Sequence, residues 1–321
     1  MTTSAQASQA SAGPRQQLSR IHLGTAPDSW GVWFPDDPHQ VPWQRFLDEA
    51  VAAGYTRIEL GPYGYLPTDA DQLRDELGRR GLTLTGGAVF AGLHRGADAL
   101  ATALEDYRTE AALLSALGAH HVIALPEQYT DMHGGDVLEA SRLDLEQWRN
   151  LTDGYSRLGK IMADEFGLSL DFHSHADSHV GTQEQIERFL QDTDPDAVSL
   201  CLDTGHVSYY DGDNVEIIRK FPERIGYVHL KQVDPAVLAR VRREALSFAE
   251  AVRLGAMVEP PNGEPDMPSL LDALAELDAE LFAIVEQDMY PCEPDAPFPI
   301  ADRTRRYLNS CGLASGGPRR P

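Results

Sequence analysis

Four residues with side chains that bind divalent metals lie at the C-terminal ends of apolar segments in the second half of the chain. Their imidazole and carboxylate groups form a mixed nitrogen and oxygen donor set. Such a set suits Mn²⁺, Co²⁺, Fe²⁺ or Zn²⁺ better than Ca²⁺ or Mg²⁺, because the latter two prefer oxygen ligands alone. We predict one metal site, with Mn²⁺ or Co²⁺ favoured over Fe²⁺ or Zn²⁺. The predicted ligands are His173, Asp203, His229 and Glu286.

Three further residues beside these ligands have side chains that transfer protons or bind negative charge. His175 follows His173 by two positions, so both face the same side of an extended strand. Lys231 has the same relation to His229, and His206 lies three positions after one of the acidic ligands. We predict that His175 and His206 supply the acid and the base of a reaction, in an order that the sequence leaves open. Lys231 is predicted to orient the substrate or to stabilise negative charge.

Residues near the ends of the first two apolar segments are candidates for substrate binding. Asp28 and Trp30 follow the first segment, where the indole offers a flat apolar surface to a sugar ring. Glu59 lies at the end of the second segment and offers a carboxylate to a substrate hydroxyl. Other residues of reactive type are predicted to lie outside the reaction centre: His94, His179 and Cys201.

The elements that position these residues follow from the apolar pattern. Eight short apolar or β-branched segments have the length of buried strands, and helical patterns separate them. Within 100–114 and 148–162, apolar residues recur at spacings of three and four and so form one stripe each. Glycines such as Gly54 and Gly167 stand where a helix gives way to the next strand. The strand segments are 21–26, 56–60, 82–89, 121–125, 168–172, 198–203, 225–230 and 281–286.

This alternation predicts an α/β protein with a closed (β/α)₈ TIM barrel. Eight strands spread over about 265 residues match the ~250 residues that such a barrel typically needs. A doubly wound open sheet is the alternative, but it usually carries a GxGxxG motif after its first strand, and the chain has none there. The active site of a TIM barrel lies at the C-terminal ends of its strands, which is where the candidate residues lie.

The domain limits are read from composition. We predict one barrel domain over residues 21–311, between a disordered N-terminal tail of residues 1–20 and a disordered C-terminal tail of residues 312–321. The stretch after the seventh strand segment is long for a single connection. We predict a helix over 235–246 and a turn-rich loop over 260–268 that folds over the barrel mouth.

Charge and cysteine content narrow the class of partner. The 321 residues include 27 basic and 50 acidic side chains, which gives a net charge of −23 and opposes binding to nucleic acid or to an anionic membrane. No apolar run approaches the ~18 residues of a membrane span, and the N-terminus lacks the apolar stretch of a secretory signal. Three cysteines are too few for a disulfide framework. We predict a cytoplasmic protein with a small-molecule substrate, and the sequence leaves the oligomeric state open, with a homo-oligomer as one possibility.

The chain resembles the inosose dehydratase family, which is part of the sugar-phosphate isomerase/epimerase superfamily of xylose-isomerase-like barrels. The motifs APDSWG and LDTGH are the most diagnostic, and further similarity runs through GGAVFAGLH, FHSHADSHVGT, YVHLKQV and VEQDMY. The resemblance covers about residues 21–290. It implies the same barrel, a bound divalent metal and a polyhydroxy ketone as substrate.

The resemblance also implies a ligand set. Superfamily members typically hold their metal with Glu, Asp, His and Glu on strands five to eight, and Asp203, His229 and Glu286 match the last three. At the first position this chain has His173 in a His-Ser-His pattern where Glu-x-His is usual, and the inosose dehydratase-like branch has a similar pattern. A second departure is Gln232, where the family often has Asp.

The activity that the resemblance implies is dehydration of a keto-inositol such as scyllo-inosose. A divalent cation can chelate the ketone oxygen and an adjacent hydroxyl, and can stabilise the enediolate that forms when an α-proton is removed. An acid then protonates the departing β-hydroxyl. Because the strand-five carboxylate is absent, β-elimination is favoured over epimerisation between two carboxylates.

Several alternatives stay open. A metal-dependent keto-sugar isomerase or epimerase would form the same enediolate and return the proton without losing water. A lyase that acts on another polyhydroxy ketone, such as an oxidised glycoside, would differ only at the pocket rim. An apurinic endonuclease can share the barrel and a DTGH-like motif, although the acidic charge argues against DNA binding. A non-enzymatic binding module would require a vestigial metal site.

Overall fold

The computed structural model describes residues 18–313 and contains a parallel sheet with helices between successive strands. Most of the two predicted tails, residues 1–20 and 312–321, lies outside the described residues. The described parts of both tails belong to the barrel, because Leu18 and Leu313 are buried in its core. The folded domain therefore extends slightly beyond 21–311 at each end.

The strands and helices alternate along most of the chain. The strands are β1 (Ile21–Thr25), β2 (Arg57–Ile58), β3 (Thr83–Leu84), β4 (Gly86–Ala91), β5 (His121–Pro126), β6 (Ser169–His173), β7 (Val198–Asp203), β8 (Ile225–Leu230), β9 (Gln232–Val233), β10 (Met257–Val258) and β11 (Leu281–Val285). The α-helices are α1 (Trp43–Ala53), α2 (Ala70–Arg80), α3 (Ala97–Ala116), α4 (Leu145–Phe166), α5 (Gln183–Asp192), α6 (Thr204–Tyr209), α7 (Asn214–Lys220), α8 (Pro235–Glu244), α9 (Phe248–Arg253), α10 (Met267–Glu276) and α11 (Pro297–Ser310).

The sheet closes because two of its neighbouring strands share one stretch of chain. The sequence predicts a single strand over 82–89, and the structure divides this stretch at Thr85 into β3 and β4. The strand order is β3-β2-β1-β11-β8-β7-β6-β5-β4, and every one of these pairs is parallel. Since only Thr85 separates the first and the last strand of this order, the nine strands occupy the eight positions of a TIM barrel. The predicted fold is confirmed.

The helices pack on the outside of the barrel through the predicted stripes. On α4 the buried positions include Trp148, Leu151, Tyr155, Leu158 and Met162. The helix begins with a capping box at Asp144 and ends at Gly167, whose φ of 68° is the left-handed conformation that glycine adopts without strain. None of the helices within residues 18–313 is long and apolar enough to cross a membrane.

The barrel interior is filled in layers, because side chains on each strand alternate between the inside and the outside. The middle layer is apolar and includes Ile123, Cys201, Tyr227 and Ile284. Cys201 is fully buried, as predicted for a core residue. The polar candidates lie one strand step further along, toward the C-terminal ends of the strands, so the layer forms the floor beneath them.

The long connection after β8 forms a small substructure. β9 and β10 pair antiparallel, and α8 and α9 lie between them. The predicted helix over 235–246 is confirmed as α8. The segment that reaches over the barrel mouth is the start of α9, where Phe248 packs against His175 and His206 with ring centroids 4.9 and 5.1 Å away.

The loop over 260–268 has a different position from the predicted one. It runs beside β9, where the Val233 N–H donates to the Glu264 carbonyl at 2.8 Å and the Gln232 side chain accepts from the Gly263 N–H at 3.1 Å. None of residues 260–268 lines the cavity at the mouth, whereas Phe248 of α9 does, so the prediction that this loop covers the mouth is wrong. Gln232, a departure from the family pattern, serves to anchor the loop.

Candidate active site

The four predicted metal ligands converge at the C-terminal end of the barrel. His173 ends β6, Asp203 ends β7, His229 lies near the end of β8 and Glu286 directly follows β11. One potential ligand atom from each of them lies within 4.8 Å of the others, and all four side chains are buried. The shortest approaches are 2.9 Å between His229 Nδ1 and Glu286 Oε2 and 3.2 Å between His173 Nε2 and Asp203 Oδ2.

The hydrogen bonds around this cluster leave the right atoms free for a cation. His229 Nε2 lies 2.8 Å from Glu59 Oε1, so this nitrogen carries the proton and donates it to the carboxylate. Nδ1 of His229 points into the cluster, 2.9 Å from Glu286 Oε2 and 3.6 Å from Asp203 Oδ2. Burial alone would lower the pKa of His229, but Cys201 and the carboxylates of Glu286 and Glu59 raise it well above its ordinary value, so a cation that binds Nδ1 would displace a proton there. A histidine whose second nitrogen donates to a carboxylate is the common arrangement of metal-binding histidines.

Asp203 divides its two oxygens between structure and cluster. Oδ1 accepts hydrogen bonds from the N–H groups of Gly205 and His206, at 2.9 and 2.8 Å, and so caps α6. Oδ2 faces His173 and His229 instead. The donor set of two imidazole nitrogens and two carboxylate oxygens therefore fits a divalent transition metal or zinc.

Lys231 supplies positive charge inside the same site. Its Nζ lies 2.7 Å from Asp288 Oδ2, 2.9 Å from Glu286 Oε2 and 3.2 Å from Asp203 Oδ2. Burial alone would lower the pKa of Lys231, but the carboxylates of Asp203, Asp288 and Glu286 raise it well above its ordinary value. Burial alone would raise the pKa of Asp203, but the Lys231 ammonium and the neighbouring imidazoles hold it well below its usual range. Lys231 is thus a fixed ammonium that faces the cavity, as its predicted orienting role requires.

His175 and His206 stack beside the cluster, with ring centroids 3.9 Å apart. The peptide unit of Ala176 contacts both rings. Its N–H donates to His206 Nδ1 at 3.0 Å, so the proton of neutral His206 is on Nε2. Its carbonyl lies 2.7 Å from His175 Nδ1, a shorter contact than the 3.1 Å to the Gln128 side-chain nitrogen. A carbonyl only accepts, so His175 is protonated at Nδ1 and its Nε2 is a lone pair.

Both rings are held in the neutral form. Burial lowers the pKa of His175 to about 3, with a further contribution from His173. Burial, together with His175 and Lys231, lowers the pKa of His206 well below its ordinary value. The pair therefore offers one unprotonated nitrogen and one N–H donor at neutral pH, which are the two functions that acid–base chemistry needs.

The predicted substrate-binding residues have three different positions. Asp28 lines the cavity, and burial, together with the charges of Glu286 and Asp288, raises its pKa well above the ordinary value. Glu59 also borders the cavity, but its Oε1 is engaged by the His229 ring. Glu59 thus orients the predicted metal ligand His229, whereas the sequence predicts that Glu59 contacts the substrate.

The prediction for Trp30 is wrong. Trp30 ends the 3₁₀ turn Pro27–Trp30, and its ring packs against Phe46 on α1, while its Nε1 donates to Glu49 at 2.8 Å. The side chain is therefore buried between the turn and α1. Trp33, three residues later, lines the cavity instead and donates from Nε1 to Asp288 at 3.2 Å.

Besides Trp33, three more residues at the site were missed by sequence reasoning. Asp288 follows Glu286 by two positions, and the same alternation that pairs His173 with His175 would have placed it on the cavity side. Phe248 lies in the connection after β8, where no strand periodicity fixes direction. Glu110 is on α3 and reaches the cavity through the barrel wall beside Gly87, where a Cβ would lie 2.2 Å from its carboxylate.

A cavity of about 700 Å³ opens beside the cluster. One side is polar and contains the cluster, His175, Lys231 and Asp28. Apolar and aromatic side chains also line the cavity, and some of them, such as Phe90 and Leu138, are exposed. We call these apolar lining residues the apolar wall: Trp33, Phe34, Tyr63, Phe90, Met132 and Leu138.

The barrel fold and the polar site at its C-terminal end are those of a known class of proteins. Residues 47–311 match the family described as Xylose isomerase-like TIM barrel. An inosose dehydratase of Geobacillus thermodenitrificans is 31% identical over 303 residues, which cover 92% of this chain and 99% of that protein. An inosose dehydratase of Geobacillus kaustophilus is 32% identical over 301 residues, which cover 91% and 95%. The chain belongs to the inosose dehydratase family within the xylose isomerase-like TIM barrels.

Solved structures agree with the fold. The crystal structure described as the IOLI protein with a binding zinc atom superposes with a TM-score of 0.67 at 16% identity, and the match covers 91% of this chain and 98% of that one. At this level of identity the likeness supports the barrel fold itself.

Proposed function

We propose that this chain is a metal-dependent hydro-lyase that removes water from a keto-inositol such as scyllo-inosose. The observation that carries the proposal is the buried convergence of two imidazoles and two carboxylates beside a pair of oppositely polarised histidines. Family membership supports it, because the curated relatives are named inosose dehydratase. We also propose His173, Asp203, His229 and Glu286 as the metal ligands.

A divalent cation at this site would act as a Lewis acid that polarises the ketone and stabilises the negative charge developing on its oxygen. Among such cations, Mn²⁺ and Co²⁺ suit the mixed donor set best, with Fe²⁺ and Zn²⁺ as alternatives. Glu59 holds the His229 ring through Nε2, which makes Nδ1 the ligand atom, and the cap on α6 fixes Asp203. These contacts keep the ligands in place before a cation arrives.

The two histidines divide the proton work according to their tautomers. His175 takes the proton α to the ketone at Nε2, the nitrogen that the Ala176 carbonyl leaves unprotonated. His206 donates a hydrogen bond from Nε2–H to the β-hydroxyl. The proton held by His175 then passes to that hydroxyl as it departs from the same face. One C–H and one C–O bond break, a C=C bond forms and one water leaves.

Lys231 and Asp28 complete the polar side of the cavity. The Lys231 ammonium lies 3.3 Å from His206 Nε2, so an oxygen bound between them would accept hydrogen bonds from both groups. Asp28 has a raised pKa, and its neutral form could donate a hydrogen bond to a substrate hydroxyl. We propose that both residues orient the ring, with the departing hydroxyl toward the histidine pair.

The test is product analysis with metal-reconstituted protein and scyllo-inosose in deuterated water. NMR and mass spectrometry should show a product that is lighter than the substrate by one water. Asp203→Asn should give no product. Deuterium incorporation or an isomerised ring, with no water lost from any cyclic ketone tested, would overturn the dehydratase and leave a keto-sugar isomerase or epimerase.

A second candidate is favoured by the cavity itself. Its volume of about 700 Å³ lies in the range of about 300–1,000 Å³ that holds drug-sized ligands, and a bare six-membered ring fills only part of it. A keto-inositol carries oxygen on every carbon, so only the small C–H faces of its ring can pack against the apolar wall. An oxidised glycoside with an apolar aglycone would place its keto-sugar at the cluster and its aglycone on the apolar wall.

The same residues would serve that reaction with a different leaving group. In a 3-keto-glycoside, the C2 proton goes to His175 and the C1–O bond to the aglycone breaks, so the aglycone leaves as an alcohol or phenol. A nitrophenyl 3-keto-glucoside and scyllo-inosose should be compared by kcat/KM. Higher kcat/KM for the aryl glycoside, lost in Phe90→Ser, supports the second candidate, and turnover of scyllo-inosose alone excludes it.

A further inference from the structure

A second cluster of metal-binding side chains lies outside the cavity. His94 is in the 3₁₀ turn Leu93–Arg95 after β4, Glu139 is in the connection between β5 and α4, and His179 is in the connection between β6 and α5. One potential ligand atom from each lies within 4.8 Å of the other two. None of the three lines the cavity. The cluster therefore joins three loops of the barrel mouth without taking part in the proposed chemistry.

The two histidines of this cluster are buried, with exposed fractions of 1% for His94 and 2% for His179. Nε2 of His179 lies 3.0 Å from the Ala140 carbonyl oxygen, so it carries the proton and donates it. Nδ1 of His179 is then an unprotonated lone pair. It is buried and has no hydrogen-bond partner among the described residues. Buried polar atoms are seldom left unpaired, because their loss of hydration is not compensated.

The remaining two residues face each other. Nε2 of His94 lies 3.1 Å from Glu139 Oε1 and 3.2 Å from Oε2, and the His94 and His179 rings are 4.4 Å apart. Arg95 donates to Glu139 Oε1 at 2.9 Å from the outer side. The carboxylate thus has a fixed orientation toward the histidines, as the carboxylate ligands of metal sites commonly do.

We propose that His94, Glu139 and His179 form a second divalent-metal site that takes Zn²⁺. Two histidines and one glutamate are a ligand set that zinc accepts, with water as the fourth ligand. The ion would occupy the place opposite the unpaired Nδ1 of His179 and would connect the loops after β4, β5 and β6. The role of the ion is structural: it holds in place the rim that carries Gln128 and part of the apolar wall.

The experiment is zinc stoichiometry measured by elemental mass spectrometry after equilibrium dialysis of the full chain. Wild type should retain two equivalents of zinc per chain. Asp203→Asn and His179→Gln should each retain one, and the double variant should retain none. His39→Ala is the matched control, because His39 is an exposed histidine and its removal should leave both equivalents.

A second measurement separates zinc binding from a simple loss of folding. Zinc should raise the midpoint of thermal unfolding of Asp203→Asn, and this rise should disappear when Glu139→Gln is added, while circular dichroism shows both proteins folded. If Asp203→Asn retains no zinc, or if His179→Gln in the Asp203→Asn background still binds zinc, the cluster is an ion pair between His94, Glu139 and Arg95 and the proposal is overturned. Neither result bears on the dehydratase.

Discussion

The two ends of the barrel interior use the same residue types for opposite purposes. Toward the N-terminal end, His121 Nδ1 pairs with Asp171 Oδ2 at 2.8 Å, and in the middle layer Tyr227 donates to Thr85 Oγ1 at 2.7 Å. These groups find partners within the wall, although Asp171 Oδ1 has none among the described residues. At the C-terminal end, imidazoles and carboxylates converge and leave lone pairs free. A histidine beside an aspartate inside the barrel is therefore not by itself a metal site. The position of the pair along the strand decides whether it can bind a metal.

The sharpest way to break this comparison is to neutralise one aspartate at each end. Asp203→Asn keeps an oxygen to cap α6 but removes the charge that faces His173 and His229, so metal binding and activity should both fall to background. Asp171→Asn should bind metal as wild type does and should lose about 1–3 kcal/mol of unfolding free energy, because a buried hydrogen bond is weakened. Titration with Mn²⁺, turnover and urea unfolding measure the three quantities. Loss of metal from Asp171→Asn would contradict the division between the ends.

The histidine pair gives the next largest effect. His175→Ala removes the proposed base and should lower kcat by about 10²–10⁴-fold. His206→Ala removes a neutral hydrogen-bond donor and should lower kcat by about 10²–10³-fold. Both variants should still bind metal, which is the control. A fall in metal affinity with unchanged kcat at saturating metal would move these residues from catalysis to ligand support.

A smaller effect is expected from the hydrogen bond in the barrel wall. Tyr227→Phe removes the contact with Thr85 and keeps the ring that fills the middle layer. The free energy of unfolding should fall by about 1 kcal/mol, with kcat and metal affinity unchanged. Denaturant unfolding beside a turnover assay checks this. If the change in activation free energy calculated from kcat exceeds the change in unfolding free energy, the apolar floor does not insulate the site.

The smallest effect is a pH dependence at the N-terminal end. Burial lowers the pKa of His121, but the charge and hydrogen bond of Asp171 more than offset this, so the pKa is raised. The stabilisation is complete below the unfolded value of about 6.5 and is lost as the pH rises through the higher folded value. Wild type should therefore lose stability relative to His121→Gln as the pH rises above about 6.5. Unfolding curves across that range test it, and parallel curves would contradict the assignment.

The sequence was informative where the backbone is periodic. Alternation along strands correctly brought His173, Asp203, His229 and Glu286 together, and it would have added Asp288 had it been applied past the last strand. It failed for Trp30, because the 3₁₀ turn after β1 rotates that side chain toward α1 and presents Trp33 instead. Irregular segments have no period from which direction can be read.

The tautomers and the mouth were beyond sequence reasoning for a different reason. The opposite polarity of His175 and His206 comes from the peptide group of Ala176, and main-chain atoms are the same at every residue. The contact of Phe248 depends on how α9 folds back, which is a property of the tertiary structure. The engagement of Glu59 by His229 likewise joins residues 170 positions apart.

The division of one strand into β3 and β4 has a consequence for local opening of the barrel wall. β2 and β3 are two residues long, so fewer ladder hydrogen bonds hold this side of the wall than hold the longer strands, and amide exchange should be faster here than in those strands. Glu59 directly follows β2 and holds the His229 ring through Nε2. Each local opening of β2 and β3 would release that ring. A cation bound at His229 favours the closed wall, so it should slow amide exchange at residues 57–60. Amide exchange at these residues therefore reports whether the metal site is occupied.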